Sequence, residues 1–201
     1  MAPEAAPEAA GEAVRIRSVE VLADDWALLR KTTFDLRRRD GTWQTLSRET
    51  YDRGDGAVIL LYDPQRRTVV LTRQFRYPAF AKGHGGFLIE APAGLLDAED
   101  PAACIRREVE EETGYRIDAP RRLFEAFMSP GSVTERLVFF AAAVRPDQRR
   151  GAGGGDAGEG EDIEVLELPF DTAYAMIASG GIADGKTIML LQHAKLAGLF
   201  D

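Results

Sequence analysis

The chain has 201 residues, 45% of them hydrophobic and 29% charged, with a formal net charge of −8. That length suits one domain, or one domain with a small appendage, and is enough to bury a real core. The acidic balance argues against a nucleic-acid polymer as substrate, since polymer binding needs a basic stripe, and no apolar run reaches the roughly eighteen residues of a membrane span. A small anionic substrate stays open, because a bound cation inverts the local field.

The first dozen residues are mostly Ala, Pro and Glu, with neither a basic start nor an apolar stretch. Residues 1–12 are therefore expected to be a disordered tail and not a signal peptide. Residues 14–23 and 26–38 read as strands around an Asp24-Asp25 turn. Asp40-Gly41 is a hairpin signal, and Thr42 to Tyr51 is the return strand. A three-stranded unit over 13–54 is too small to stand alone. Trp26, at the start of the second strand, reads as core more readily than as a platform for a purine.

The remaining residues, 55–201, are expected to form the main domain. Ala57 to Tyr62 and Thr68 to Phe75 are apolar strands joined by Asp63-Pro64-Gln65. Arg76 ends the second, as a surface cation or a phosphate contact. Phe87 to Glu90 is a short strand leading into Ala93-Gly94. A helix follows. Pro101 suits its first turn, Glu99 or Asp100 its N-cap, and Gly114 its left-handed end. Ile105 and Val109 form its apolar stripe.

Beside that stripe lie Glu108, Glu111 and Glu112 at i,i+3 and i,i+4 spacing. Like charges so placed repel, and a structural helix gains nothing from them. A hard divalent cation reverses the sign, because magnesium prefers oxygen ligands. Arg107 sits four before Glu111 and can hold it in place.

Farther on, Arg122 to Phe127 and Arg136 to Val144 read as strands around the Ser129-Pro130-Gly131-Ser132 turn. Residues 145–162 form a long polar loop in which Glu159, Glu161 and Asp162 stand beside glycines. By composition the loop is as much a flexible acidic linker as a functional segment. Glu164 to Leu168 is the last strand, and Phe170 to Ala178 and Thr187 to Ala197 are helical. The order implies an α/β fold, a mixed sheet sandwiched between helices. Gly180 to Thr187, GGIADGKT, satisfies the P-loop pattern, but a helix precedes it where a P-loop needs a strand. The single cysteine, Cys104, fits a reducing, cytoplasmic setting and reads as a packing residue. His84 and His193 show no metal spacing.

Gly94 to Gly114, GLLDAEDPAACIRREVEEETG, resembles a Nudix box: Gly, five residues, Glu, seven residues, Arg-Glu, an aliphatic, any, Glu-Glu, any, Gly. Glu99 falls seven residues before Arg107, as in the pattern, while the loop from Gly94 is one residue short. The shortened loop is similar to that of the GDP-mannose pyrophosphatase branch, the NudK type. So are AGLLD, FMSPGSVTE, GGG, EDIEVLELPF and DGKT, and the likeness spans roughly residues 14 to 198.

The resemblance implies a Nudix α/β/α sandwich. It also implies a homodimer that exchanges the N-terminal β unit, and Mg²⁺-dependent cleavage of a nucleoside diphosphate sugar, with Mn²⁺ as substitute. It implies metal ligation by Glu108, Glu112, Glu161 and the Ala93 carbonyl, with Arg107 and Glu111 supporting catalysis. Glu159 would be the base for the attacking water, in a Glu-x-Glu-Asp-Ile run that a short insertion, Asp156-Ala157-Gly158, precedes. Trp26, Arg48, Glu49, Arg76, Gly94, Glu135, Lys186 and Thr187 would meet the substrate; Ser47 stands where the branch has Lys. The alternatives are an ADP-ribose pyrophosphatase and a Nudix-shaped binding module without turnover.

Overall fold

The computed structural model describes residues 13–96 and 100–200, apart from the side chain of Glu159. The expected tail over 1–12 and Glu99 lie outside the described residues. The chain divides into two compact units. One takes in the residues up to Gly54 together with Ser129–Glu135; the other takes in Asp55–Met128 and the residues from Arg136 onward.

The first unit is an antiparallel sheet of β1 (Val14–Asp24), β2 (Leu28–Arg37) and β3 (Trp43–Asp52). β2 lies in the middle, and bulges interrupt its register with β1 between Ile16 and Ser18 and between Val21 and Ala23. The distant Ser129–Glu135 segment is fastened to the end of β3. Tyr51 donates its N–H to the Ser132 carbonyl at 2.8 Å and accepts from the Thr134 N–H at 3.1 Å.

The second unit is built on a seven-stranded mixed sheet. Its strands are β4 (Gly56–Asp63), β5 (Thr68–Phe75), β6 (Phe87–Glu90), β7 (Ala93–Leu95), β8 (Arg121–Phe127), β9 (Arg136–Ala143) and β10 (Glu164–Pro169). The order is β10-β5-β4-β9-β8, with β6 added beside β5 and β7 beside β4. Only β4 and β9 run parallel; the other pairs are antiparallel.

Strand β4 is buried along nearly its whole length, as a central strand covered on both faces should be. Its alternate side chains go opposite ways. Ala57, Ile59 and Leu61 pack with Ile105 and Val109 of helix α2 (Pro101–Thr113). Val58 and Leu60 pack with Phe170 and Ala173 of α3 (Phe170–Ser179) and with Leu190, Leu191 and Ala194 of α4 (Gly185–Leu196). Helices thus cover both faces, as the α/β sandwich requires. Among the described residues no helix is long and apolar enough to cross a membrane.

Three elements differ from expectation. A short helix α1 (Tyr77–Ala81) follows β5, and Ala93–Leu95 is a strand of its own. Helix α4 starts two residues before Thr187 because the Asp184 side chain caps it, accepting from the Thr187 N–H at 3.0 Å. Trp26 is not core: it lies in the bend between β1 and β2 and is 82% exposed.

Candidate active site

Helix α2 carries the acidic cluster. The Asp100 carboxylate caps it by accepting from the N–H groups of Ala102 and Ala103, both at 3.1 Å, and Pro101 follows at N1. Ile105 and Val109, fully buried against β4, fix the rotation of the helix. That rotation sends Glu112 inward, where it is 2% exposed, and leaves Glu111 outside.

Glu112 accepts a hydrogen bond from the Ala93 N–H at 3.3 Å. Burial pushes its carboxyl up to about 8, and the charges of Glu108 and Glu161 push the same way. Glu108 lies against Gly94: a Cβ on that glycine would stand 2.2 Å from Glu108 Cδ. Arg107 Nη1 is 3.0 Å from both Glu108 Oε1 and Glu111 Oε2, so one guanidinium ties the two carboxylates together.

The 145–162 loop is not a slack linker. Gly154 donates its N–H to the Glu112 carbonyl at 3.0 Å, and Gly155 donates to the Glu111 carbonyl at 3.1 Å. Arg150 donates to the Gly114 carbonyl at 2.7 Å. These amides satisfy carbonyls that the last turn of a helix leaves without partners. The approach needs glycine: a Cβ on Gly153 would lie 2.4 Å from the Glu112 carbonyl oxygen, and Gly153 has φ of 74°. The strap brings Glu161 into the field of Glu112. Glu161 Oε2 is itself held by the Asp156 N–H at 2.9 Å. Glu159 falls in a 3-10 turn over Ala157–Glu159, and its side chain lies outside the described residues.

The acids are gathered but not closed. Among the described residues no three His, Cys, Asp or Glu side chains already surround one point. The donor set nonetheless suits a hard cation. It offers only oxygens, and a carboxyl raised by burial and further by two neighbouring acids is a charge problem that a divalent ion relieves.

A second cluster borders the first, and sequence reasoning saw only part of it. Glu90, at the end of β6, is 2% exposed. It accepts from Arg76 Nε at 2.9 Å and Nη2 at 3.1 Å, a bidentate pair, and from Lys186 Nζ. Lys186 also reaches Asp184 Oδ1 at 3.0 Å. Burial alone would raise the Glu90 carboxyl, but Arg76 and Lys186 outweigh it and hold it below its ordinary value. Arg76 also lies in the field of Glu112. Glu90 and Asp184 were not anticipated. The available signals were an acid closing the apolar run Phe-Leu-Ile-Glu and an Asp before a helical Gly-Lys-Thr.

Thr187 turns inward. It is fully buried, its hydroxyl donates to Asp184 Oδ2 at 2.6 Å and accepts from the Ala91 N–H at 2.7 Å. Of the Lys186-Thr187 pair, only Lys186 keeps a polar end near the surface. The Gly180–Thr187 run joins two helices: Gly180 ends α3 in the left-handed region and Asp184 caps α4, which is no P-loop.

Trp26, Arg48, Glu49 and Glu135 belong to the first unit. Arg48 and Glu49 are exposed on β3, and Glu135 pairs with Arg53 at 3.5 Å. Cys104 is buried and donates its thiol hydrogen to the Leu95 carbonyl at 3.2 Å, as a packing residue would. His84 accepts from the Gly86 N–H at 3.2 Å, and His193 packs edge-on against Phe124.

Comparison with known proteins places this geometry. Residues 13–51 match the GDP-mannose pyrophosphatase NudK N-terminal domain, and residues 52–190 match the NUDIX domain. The chain is 56% identical over 182 residues to a GDP-mannose pyrophosphatase of Pectobacterium atrosepticum, covering 90% of this chain and 93% of that one. It is 54% identical over 186 residues to one of Yersinia pestis, covering 91% and 93%. With one of Klebsiella pneumoniae it shares 51% over 181 residues, covering 90% of each chain. The crystal structure of an ADP compounds hydrolase superposes with a TM-score of 0.71 at 16% identity, covering 94% of this chain and 96% of that one, a likeness of fold. Members of this family generally use divalent metal ions. The acid-faced helix, its glycine brackets and these matches make the chain a Nudix hydrolase.

Proposed function

We propose that the chain hydrolyses GDP-mannose, or a close nucleoside diphosphate sugar, to GMP and mannose 1-phosphate. Mg²⁺ would be the required cation, and Mn²⁺ a substitute. The observation that carries this reading is the 56% identity, over 90% of the chain, with a GDP-mannose pyrophosphatase.

Glu108, Glu112, Glu161 and the Ala93 carbonyl would hold the cation. When bound, it would neutralise the diphosphate and acidify the attacking water. Glu159 would take the proton from that water. Arg107 and Glu111 would keep Glu108 in register; their shared contacts support this. Arg76 and Lys186 would meet phosphate oxygens, and Gly94 would leave room beside Glu108. Trp26, Arg48, Glu49 and Glu135 would meet the base and sugar, while Thr187 would support Lys186 from within.

The reading includes a cytoplasmic setting and a homodimer that exchanges the unit over residues 13–54, leaving 55–201 as the hydrolase domain. Exposed apolar side chains support a partner. Ile16, Val19, Val21 and Leu22 lie open on β1, and Phe75, Tyr77, Phe80 and Phe87 form a second exposed group.

The test is a panel of GDP-mannose, ADP-ribose and NADH with Mg²⁺, with products identified. GMP and mannose 1-phosphate, formed fastest and only with metal, are the expected result. Faster turnover of ADP-ribose, or ligand binding without any product, would overturn the reading. Light scattering should give twice the chain's mass.

A further inference from the structure

Glu90 poses a question that the acidic helix does not answer. It is an almost fully buried carboxylate that holds two cations from elements far apart in sequence. Arg76 stands just beyond β5, and Lys186 opens α4. Hydrophobic packing would have joined those elements without burying a carboxylate and most of a lysine, so a purely structural ion cluster is a costly fastener.

Arg76 spends Nε and Nη2 on Glu90, and its side chain remains 42% exposed. The fork that faces Glu90 fixes the plane of the guanidinium, and among the described residues Nη1 is left for another acceptor. Arg76 also lies in the field of Glu112, so its guanidinium and the acidic cluster are electrostatic neighbours. Lys186 is pinned between Glu90 and Asp184, and Asp184 is in turn fixed by capping α4. A lysine has a long stem and three donors; two acceptors remove most of its freedom.

We propose that Glu90 is a positioning residue: its one carboxylate presets Arg76 and Lys186 as a pair of cations for the substrate's diphosphate. This rests on the reading of Arg76 and Lys186 as phosphate contacts. Ordering two long side chains before the ligand arrives removes an entropy cost from binding. The opposing effect has a definite sign. Glu90 is itself an anion, and if it acted only as a charge, removing it would strengthen phosphate binding.

The full-length chain and its Glu90→Gln, Glu90→Asp and Arg76→Gln variants would be titrated with inorganic pyrophosphate in excess Mg²⁺, by calorimetry. Thermal unfolding of each would be recorded. Glu90→Gln is expected to weaken binding roughly ten-fold or more, and in an Arg76→Gln background the same change should cost much less. Glu90→Asp, which keeps the charge on a shorter stem, should fold and fall between. Equal or tighter binding by Glu90→Gln, full additivity with Arg76→Gln, or no binding to the parent chain would each overturn the proposal.

Kinetics separate this from the proposed activity. A chain that binds pyrophosphate as described but never cleaves GDP-mannose keeps the clamp and loses that function. A chain that cleaves GDP-mannose with the same KM and kcat after Glu90→Gln keeps the function and loses the clamp.

Discussion

Gly94 and Glu108 occupy each other's space: a methyl group on the glycine would sit 2.2 Å from Cδ and 2.3 Å from Oε1 of the carboxylate. The obstructing atoms, Cγ at 2.3 Å among them, belong to a side chain and not to backbone, so Glu108 can give way by leaving its Arg107 contact. Gly94→Ala should therefore fold, with stability changed by about 1 kcal/mol or less. Turnover should fall on the order of a hundred-fold, because a ligand displaced by about 1 Å loses its geometry. Unchanged kcat with unchanged melting temperature would show that Glu108 is not needed where it stands.

Gly153→Ala should behave in the opposite way. Its Cβ would meet backbone, at 2.4 Å from the Glu112 oxygen and 2.6 Å from the Thr113 carbonyl carbon, and backbone cannot swing aside. The residue also sits at φ of 74°. The strap must lift from the helix end. A loss of stability of a few kcal/mol is expected, with activity lost as Glu161 moves. A variant as stable and active as the parent would mean the strap is dispensable.

Glu112 makes the metal-free protein sensitive to pH in a definite direction. Its folded carboxyl lies at about 8 against an ordinary value of 4.5. Between those values the folded chain holds a proton that the unfolded chain has released. Stability from this group is therefore fully present below about 4.5 and falls as pH rises toward 8, by a total on the order of a few kcal/mol. Metal binding needs the ionised form, so Mg²⁺ should raise the melting temperature more at pH 8 than at pH 5. Glu112→Gln should abolish both trends and cut kcat by orders of magnitude. Melting curves that rise with pH in chelator, or a Gln variant with near-parental turnover, would refute the assignment.

Thr187 should prove internal. Thr187→Val leaves the Ala91 N–H without its acceptor and removes a donor from Asp184, which should cost about 1–3 kcal/mol. Thr187→Ser keeps both bonds and should restore most of that stability. If Val melts like the parent, the hydroxyl is not the fastener its geometry indicates.

The sequence pattern exposed the strands of the main sheet and the acidic helix most clearly. The apolar runs of β4 and β5, and the Pro101 and Gly114 boundaries of α2, carry periodicity and capping chemistry that act locally. Other features depend on tertiary contact and leave little local trace. The hydrogen bonds from Gly154 and Gly155 to the helix end give no periodicity, so by composition the loop reads as much as a linker as a functional segment. Glu90 looked like the polar end of a strand because its partners lie at positions 76 and 186. Trp26 sits in a bend that the strand pattern around it conceals, so its exposure is not legible locally.

The segment that delivers Glu161 has a laced base and a looped crown. Ile163 donates to the Gly154 carbonyl at 3.1 Å, and Glu161 donates to the Asp156 carbonyl at 3.2 Å, so the two arms are stitched together below the Ala157–Glu159 turn. Residues Asp156-Ala157-Gly158 start at the Asp156 stitch and run into the crown. Changes confined to Ala157 and Gly158 therefore leave both stitches, and the Asp156 N–H that holds the Glu161 carboxylate, in place.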